Sequence, residues 1–314
     1  MAVPNISLRQ LAYLVEIAET GSMTAAADSL LVSQATISLA INDLERRLGT
    51  NLLVRRPGRG VSLTDAGESV IDDARRVLSA VDDLYASARS PEQEIRGRVR
   101  LGCFTTITPF YVPRLLALMA ARYPAVELEI LEGSQVDLHR ALAEGTCEMV
   151  LTYDSGLDPA LSRQNIATRR PQVLLPAHHA LANRPEIDVR ELTDEPLVQY
   201  ASPMSVANTE KLLRARGIET TPVFSSSNIE TVRAMVANGL GYTILVQQWP
   251  IDRSVDGLRV SSRPISGPVT EFHVVAAWNS TNPLSTRARA VLENIQQAVV
   301  DQDGPTRDPA EPNV

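Results

Sequence analysis

Ser7 to Gly67 reads SLRQLAYLVEIAETGSMTAAADSLLVSQATISLAINDLERRLGTNLLVRRPGRGVSLTDAG, and its punctuation divides it into three short helices and a hairpin. Ser7-Leu8-Arg9-Gln10 is a capping box, in which Ser7 and Gln10 each satisfy a free backbone N–H at a helix start. Leu11, Leu14, Val15 and Ala18 follow as one apolar stripe until Gly21 stops the helix. A second short helix puts Ala26, Ala27 and Leu30 inward. Ser33 is the N-cap of a third helix, in which Ile37, Ile41, Leu44 and Leu48 recur at helical spacing up to Gly49. Leu52 to Arg56 and Val61 to Leu63 flank Pro57-Gly58-Arg59-Gly60 and read as two strands around a tight turn, a wing.

With Ile37, Ile41, Leu44 and Leu48 inward, the third helix turns Ala35, Leu39, Asn42 and Arg46 outward, with Gln34 at its exposed end and Ser38 on the flank. Such a face suits the major groove: Gln34 matches an adenine edge, Ser38 either base type, and Ala35 or Leu39 a thymine methyl. Arg46, Arg47, Arg55, Arg56 and Arg59 fall within fourteen residues that contain no Asp or Glu, so a local cationic patch for phosphates is expected. A charge run alone is usually a solvated face. Three helices and a wing in this order favour nucleic acid.

From Thr64, a further N-cap, a long helix is expected to about Ala88, with Val70, Ala74, Val77, Val81, Leu84 and Ala88 forming a heptad seam that calls for a partner helix. Ser90-Pro91-Glu92-Gln93-Glu94 reads as a hinge. Beyond it strands and helices alternate: strands at Val99 to Phe104, Val126 to Leu131, Met149 to Thr152, Val173 to Leu175, Leu197 to Tyr200, Tyr242 to Val246 and Phe272 to Ala277, and helices over Pro113 to Arg122, Leu138 to Ala143, Asn208 to Arg216, Glu230 to Asn238 and Leu284 to Val299. Alternation of this kind means α/β layers, expected in two lobes.

The whole chain fits that plan. At 314 residues it is long enough for two domains, and 44% hydrophobic with 21% charged residues is globular composition. Thirty basic against 37 acidic residues give a formal charge of −7, so attraction to a polyanion has to be local. Two cysteines, Cys103 and Cys147, are too few for a disulfide framework and sit in or beside strand patterns, where buried thiols are expected. MAVPNISLRQLAYLVEIAETG has no basic start followed by an apolar core, and no stretch of 18 uncharged apolar residues occurs, so a cytoplasmic location is expected. His178-His179 lacks a second ligand cluster and no metal site is expected; Gly239-Leu240-Gly241 lacks the third glycine and acidic partner of a dinucleotide site. No nucleophile, base and orienter group together, and neither catalysis nor a cofactor is expected.

Ser7 to Gly67 resembles the winged helix-turn-helix of LysR-type transcriptional regulators almost position for position. The likeness continues through LRLGCFTTITPFYVPRLLALMAARYPAVELEILEG and TVRAMVANGLGYTIL, which resemble that family's effector-binding lobes. It implies an N-terminal all-α winged helix-turn-helix with a long linker helix, followed by a two-lobed α/β effector domain of the periplasmic-binding-protein type. The corresponding divisions are 1–63 for the DNA-binding domain, 64–89 for the linker helix, 90–97 for the hinge and 98–300 for the effector domain. Within the last, lobe I covers 98–167 and 269–300 and lobe II 168–268, and 301–314 is expected to be a disordered tail.

Carried over by motif, Gln34, Ala35, Ser38 and Leu39 occupy the base-reading positions and Arg55 or Arg56 the wing phosphate contact, with Ser33, Thr36, Asn42 and Arg59 completing the expected DNA set. Many members have Arg where this chain has Leu39, so base preference there is expected to differ. For the effector, Thr105, Thr106, Ser134, Gln135 and Asn228 stand at helix starts, where free N–H groups attract carboxylates. By family position Tyr153 and Ser202-Pro203-Met204-Ser205 line the opposite walls, and a small carboxylate, aromatic in one version, is the expected effector. The competing reading is that Ser134, Thr106 and Asn228 merely cap their helices. The partners implied are an interrupted palindromic operator in double-stranded DNA, the effector, further copies in a homodimer or homotetramer, and RNA polymerase. Against all this stands a small-molecule-binding protein or enzyme with an incidental helical module, which would give no specific band shift with operator DNA.

Overall fold

The computed structural model describes residues 5–56, 60–87, 95–282 and 284–300. Ser7 opens helix α1, Leu8–Thr20: its Oγ accepts the Gln10 N–H at 3.2 Å, and Gln10 Oε1 accepts the Ser7 N–H at 2.8 Å. Gly21 ends it in the left-handed region, φ 65°, and Ser22 caps α2, Met23–Ser29. Ser33 caps α3, Gln34–Leu48, by accepting the Thr36 N–H at 3.1 Å, and Gly49 ends it at φ 70°. Leu14, Ile17, Ile37, Ile41 and Leu44 are all but inaccessible to water and form one core; each such burial contributes about 1.5–3 kcal/mol. Leu48 departs from the expected inner face: at 37% exposed in the last turn it lies past the end of that core, and Gln10 and Ile17 are buried instead.

The wing is the antiparallel pair β1, Leu53–Arg56, and β2, Gly60–Leu63, in the register Leu53↔Leu63 and Arg56↔Gly60. It is tied to the helices because Val61 N–H donates to the Gly21 carbonyl at 3.0 Å. At Gly60 a Cβ would stand 2.7 Å from that carbonyl oxygen, so the approach needs glycine. Helix α4, Asp65–Ser87, begins at Thr64, whose Oγ1 accepts the Gly67 N–H at 3.0 Å. Its Ile71 and Ala74 are buried, while Val77 and Leu84 are exposed. Ala88, the 90–94 part of the expected hinge and the expected tail 301–314 lie outside the described residues.

Beyond the linker the elements run β3 Gly97–Phe104, α5 Thr108–Arg122, β4 Val126–Gly133, α6 Gln135–Ala143, β5 Met149–Tyr153, β6 Leu161–Arg169, β7 Gln172–Pro176, β8 Val198–Tyr200, α7 Pro203–Arg214, β9 Phe224–Ser226, α8 Ile229–Ala237, β10 Thr243–Leu245, β11 Val260–Pro264, β12 Phe272–Asn279 and α9 Thr286–Val300. The larger sheet has the order β4-β3-β5-β12-β6, a second has β10-β7-β11, and β8 pairs in parallel with β9. Strands β6, β9 and β11 are absent from the expected set. LSRQNIATR and VSSRP carry too few apolar residues to announce a strand, because both run along sheet edges with one face in water.

Two compact units emerge, one of Met1–Cys103, Val112–Val150 and Trp278–Asp301, the other containing Phe104–Tyr111 and Leu151–Ala277. These divisions differ from the expected lobes in placing Phe104–Tyr111 and the 151–167 and 269–277 stretches in the second unit. In the first unit Glu19 of α1 stands 3.8 Å from Arg100 of β3 and 3.9 Å from Arg75 of α4. In the second, β7 is covered on both sides. Val173 and Leu175 pack with Leu213 of α7, and Leu174 packs with Val232 and Val236 of α8, following the two-residue period of a strand.

Candidate functional site: a reading helix and an aromatic cavity

Burying Ile37, Ile41 and Leu44 leaves the opposite face of α3 in water. Leu39 is 71% exposed, Gln34, Ala35, Thr36 and Asn42 are exposed, and Ser38 is half-buried. Ser33 and Thr36 are partly occupied by capping, with their hydroxyls 2.8 Å apart. One expectation is corrected here: Arg46 and Arg47 are not free members of a cationic patch. Both bind Asp43, Arg47 Nε at 2.6 Å, and Asp43 also accepts from Gln10 Nε2 at 2.9 Å. The carboxylate sits one helical turn before the basic run, at (i, i+3) and (i, i+4), the spacing at which helix ion pairs meet. The Arg47 hydrogen bond, with Gln10 and Arg46 adding to it, holds the Asp43 carboxyl below its usual range. Arg55 and Arg56 lie in β1, and Arg59 falls outside the described residues.

The second feature lies wholly within the second compact unit. A pocket with room for water-sized groups over about 70 Å³, open to solvent at its mouth, is walled by Phe104, Tyr153, Tyr200, Trp249 and Phe272. The rings meet edge to face: Tyr153 is 5.9 Å from Phe104 and 6.4 Å from Phe272 between centroids. Trp249 is held from behind by Phe110 at 5.1 Å and by the buried Arg233 guanidinium, 4.7 Å from its ring centroid. Arg233 is fixed in turn by donating to the carbonyls of Ile251 at 3.1 Å and Arg253 at 2.6 Å. Burial raises the Tyr153 and Tyr200 phenols above their usual value, so both present neutral hydroxyls at neutral pH. Thr106 hydrogen-bonds Tyr153, and Ser202, Ser205, Asn208, Thr209 and Gln247 supply the remaining polar groups. None of the described lining residues is Asp, Glu, Lys, Arg or His.

Of the residues expected at an effector site, Thr106, Tyr153, Ser202, Met204 and Ser205 come together on this cavity. Thr105, next to the buried Thr106, is exposed, and Pro203 opens α7 without lining the cavity. Asn228 caps α8, accepting from Glu230 N at 2.9 Å and Thr231 N at 3.3 Å. Ser134 caps α6 and donates to Asp137 at 2.6 Å; with Gln135 it belongs to the first unit. Sequence reasoning missed Phe104, Tyr200, Gln247, Trp249 and Phe272. Aromatic residues are only 4% of the chain, so five on one cavity is the concentration a better reading would have looked for.

His179 Nε2 lies 2.8 Å from Glu195, and among the described residues no cluster of three or more His, Cys, Asp or Glu is placed to hold a metal. No single described helix is long and apolar enough to cross a membrane.

A capped helix with an exposed face beside a wing, joined through a long helix to an α/β domain with an aromatic-walled pocket, defines a DNA-binding regulator with an effector-binding domain. Residues 8–68 match the model of bacterial regulatory helix-turn-helix proteins, lysR family, and residues 92–300 that of the LysR substrate binding domain. The chain belongs to the LysR family of transcriptional regulators. It is 35% identical over 246 residues to the HTH-type transcriptional regulator YnfL of Escherichia coli strain K12, covering 77% of this chain and 82% of that one. It is 26% identical to the hydrogen peroxide-inducible genes activator of Pectobacterium carotovorum subsp. carotovorum, over 93% of this chain and 96% of the relative. Among solved structures, a full-length OxyR variant from Pseudomonas aeruginosa superposes with a TM-score of 0.74 at 25% identity, over 94% of this chain and 98% of that chain.

Proposed function

We propose that this regulator binds an interrupted palindromic operator as a homo-oligomer in the cytoplasm, through Gln34, Ala35, Ser38 and Leu39 in the major groove and the wing arginines on phosphate, and that a small aromatic carboxylate in the aromatic cavity modulates this binding without being transformed. The observation that carries the DNA half is the exposed Leu39 on a helix whose other face is sealed in a core: an apolar side chain in water on a polar, capped helix matches a thymine methyl. Footprinting on DNA upstream of the protein's own gene, at fixed salt, tests it, with a dyad-symmetric protected site expected. Leu39→Arg is expected to change sequence preference by roughly ten-fold or more between half-sites, whereas Arg56→Ala weakens binding to all sequences alike and flattens the salt dependence. Equal losses on all sequences from both variants would sink the groove assignment.

The cavity supports the effector half through its rings and through the start of α7. Ser202, the N-cap of that helix, makes no side-chain capping bond, so the N–H groups of the first turn are left for an acceptor. Within the first unit, Glu19 of α1 stands 3.9 Å from Arg75 of α4 and 3.8 Å from Arg100 of β3, so ion pairs tie the helical module to the linker helix and to the start of the α/β region.

Peroxide sensing, suggested by the name of one relative, is not part of the proposed function. Cys103 and Cys147 are both buried, and burial pushes the Cys147 thiol up to about 11, away from the reactive thiolate. Operator binding is therefore expected to have the same midpoint in hydrogen peroxide as in dithiothreitol. A peroxide-induced shift that disappears in Cys147→Ser would overturn this.

A further inference from the structure

We propose that the side-chain amide of Gln247 selects the effector, and that the compound it selects is an aromatic ring bearing a hydroxyl group. This rests on the reading of the cavity as the effector site and adds the chemistry that would be recognised there. Gln247 lies in the loop after β10, two residues before Trp249, and lines the cavity. It is only 7% exposed, and its Oε1 is shut off from solvent with no hydrogen-bond partner among the described residues. Buried amides are almost always bonded, because a buried acceptor without a donor loses its hydration and gains nothing in return. A glutamine kept in that condition on a cavity wall is a group waiting for a partner that the described residues do not supply.

The partner's chemistry follows from the rest of the wall. Five aromatic rings call for a flat apolar body, and the absence of any acidic lining residue disfavours an ammonium group. As placed, Oε1 is closed to a water-sized group, and a half-turn of the amide exchanges it with Nε2; a hydroxyl suits both orientations, since it accepts from Nε2 in the one and donates to Oε1 in the other. The uncapped first turn of α7, with Ser202, Met204 and Ser205 on the same cavity, is the place for a carboxylate on the same ring. Gln247 thus discriminates between rings of one size by requiring the hydroxyl, the kind of selection a hydrogen-bonding site makes far better than an apolar one.

The test uses the full-length protein with Trp278→Phe, which leaves Trp249 as the only tryptophan and places the reporter in the cavity wall. Probes are para-hydroxybenzoate and para-methylbenzoate, nearly equal in shape, with the corresponding meta pair. The expected result is that at least one hydroxy compound quenches Trp249 with roughly ten-fold or greater preference over its methyl partner. In Gln247→Leu that preference is lost or inverted. Without probe, the same substitution is expected to raise Tm by about 2 °C or more, because it removes an unsatisfied buried group; a glutamine with a structural role would lower it. Equal binding of hydroxy and methyl partners by the Trp278→Phe protein, a comparison that needs no change at Gln247, would overturn the proposal while leaving the cavity as the effector site. If none of the four compounds perturbs Trp249 at millimolar concentration, the aromatic carboxylate reading of the cavity falls as well, and the proposal with it.

Discussion

Replacing both Val77 and Leu84 by Asp is expected to convert the oligomer to monomers and to weaken binding to a two-half-site operator by roughly 100-fold or more, the loss that follows when two linked contacts become independent. Along α4, Ile71 is spent on the chain's own helical core and Ala74 is buried as well. Further along, Val77 at 43%, Leu84 at 66% and Tyr85 at 64% exposed continue an apolar stripe into water. The heptad spacing places Val77 and Leu84 on one seam, and an exposed seam of this kind is covered by a second helix. A second copy of α4 is the occupant proposed. Because both side chains are exposed in the single chain, the variant should keep its fold: mass by light scattering drops while the circular dichroism spectrum stays unchanged. An unchanged mass together with unchanged operator affinity would remove α4 from the interface.

Gly241→Ala is expected to be the most damaging one-methyl change in the second compact unit, costing more than about 4 kcal/mol. Gly241 has φ +139°, and a Cβ there would lie 2.0 Å from the Pro196 carbonyl oxygen and 2.8 Å from its carbon. The neighbour cannot give way cheaply. Tyr242 N–H donates to that same Pro196 oxygen at 3.0 Å, and Val198 N–H donates to the Tyr242 carbonyl at 2.8 Å. Leu197 and Tyr242, on either side of the bridge, are both buried in the core with Val173 and Ile244. The substitution has to part this bridge or strain the backbone, so a large fall in the urea midpoint is expected. A change in Tm of under about 2 °C would show that the close approach carries little weight.

This glycine also shows what kind of information local sequence holds. By its spacing Gly239-Leu240-Gly241 lacks the third glycine of a nucleotide motif, and the reason for its second glycine lies 45 residues away at Pro196. The same distinction runs through the helical module. Ser7 with Gln10, Ser33, Gly21 and Gly49 could be placed from sequence because caps depend on contacts three or four residues apart. Asp43 could not be assigned to Arg46 and Arg47 by counting an acid-free run that begins at Arg46, because the count leaves out the carboxylate one helical turn before it. Leu48 fits the period of its helix but falls beyond the core, since the period gives direction and not depth.

The candidate sites divide in the same way. The outward set on α3 follows once Ile37, Ile41 and Leu44 are known to face inward, and only its degree of exposure needed the structure. For the cavity, Thr106 is legible as a helix start and Tyr153 and Ser202 to Ser205 follow from the family resemblance, but the aromatic wall is drawn from places as far apart in the chain as Phe104, Tyr153, Tyr200, Trp249 and Phe272. No local pattern links them.

By itself, then, the sequence determined the helix starts and stops, the period of each buried face, the order of helices, wing, linker and α/β layers, and through these the family. Each rests on interactions within a few residues or on a repeat that one segment carries alone. Tertiary structure alone decided which segments meet at a cavity, which arginines are already paired, where polar edge strands such as β6 and β11 run, and that Gln247 Oε1 is buried with no partner among the described residues. Those properties depend on burial and on contacts between distant parts of the chain, which come into being only when the core closes.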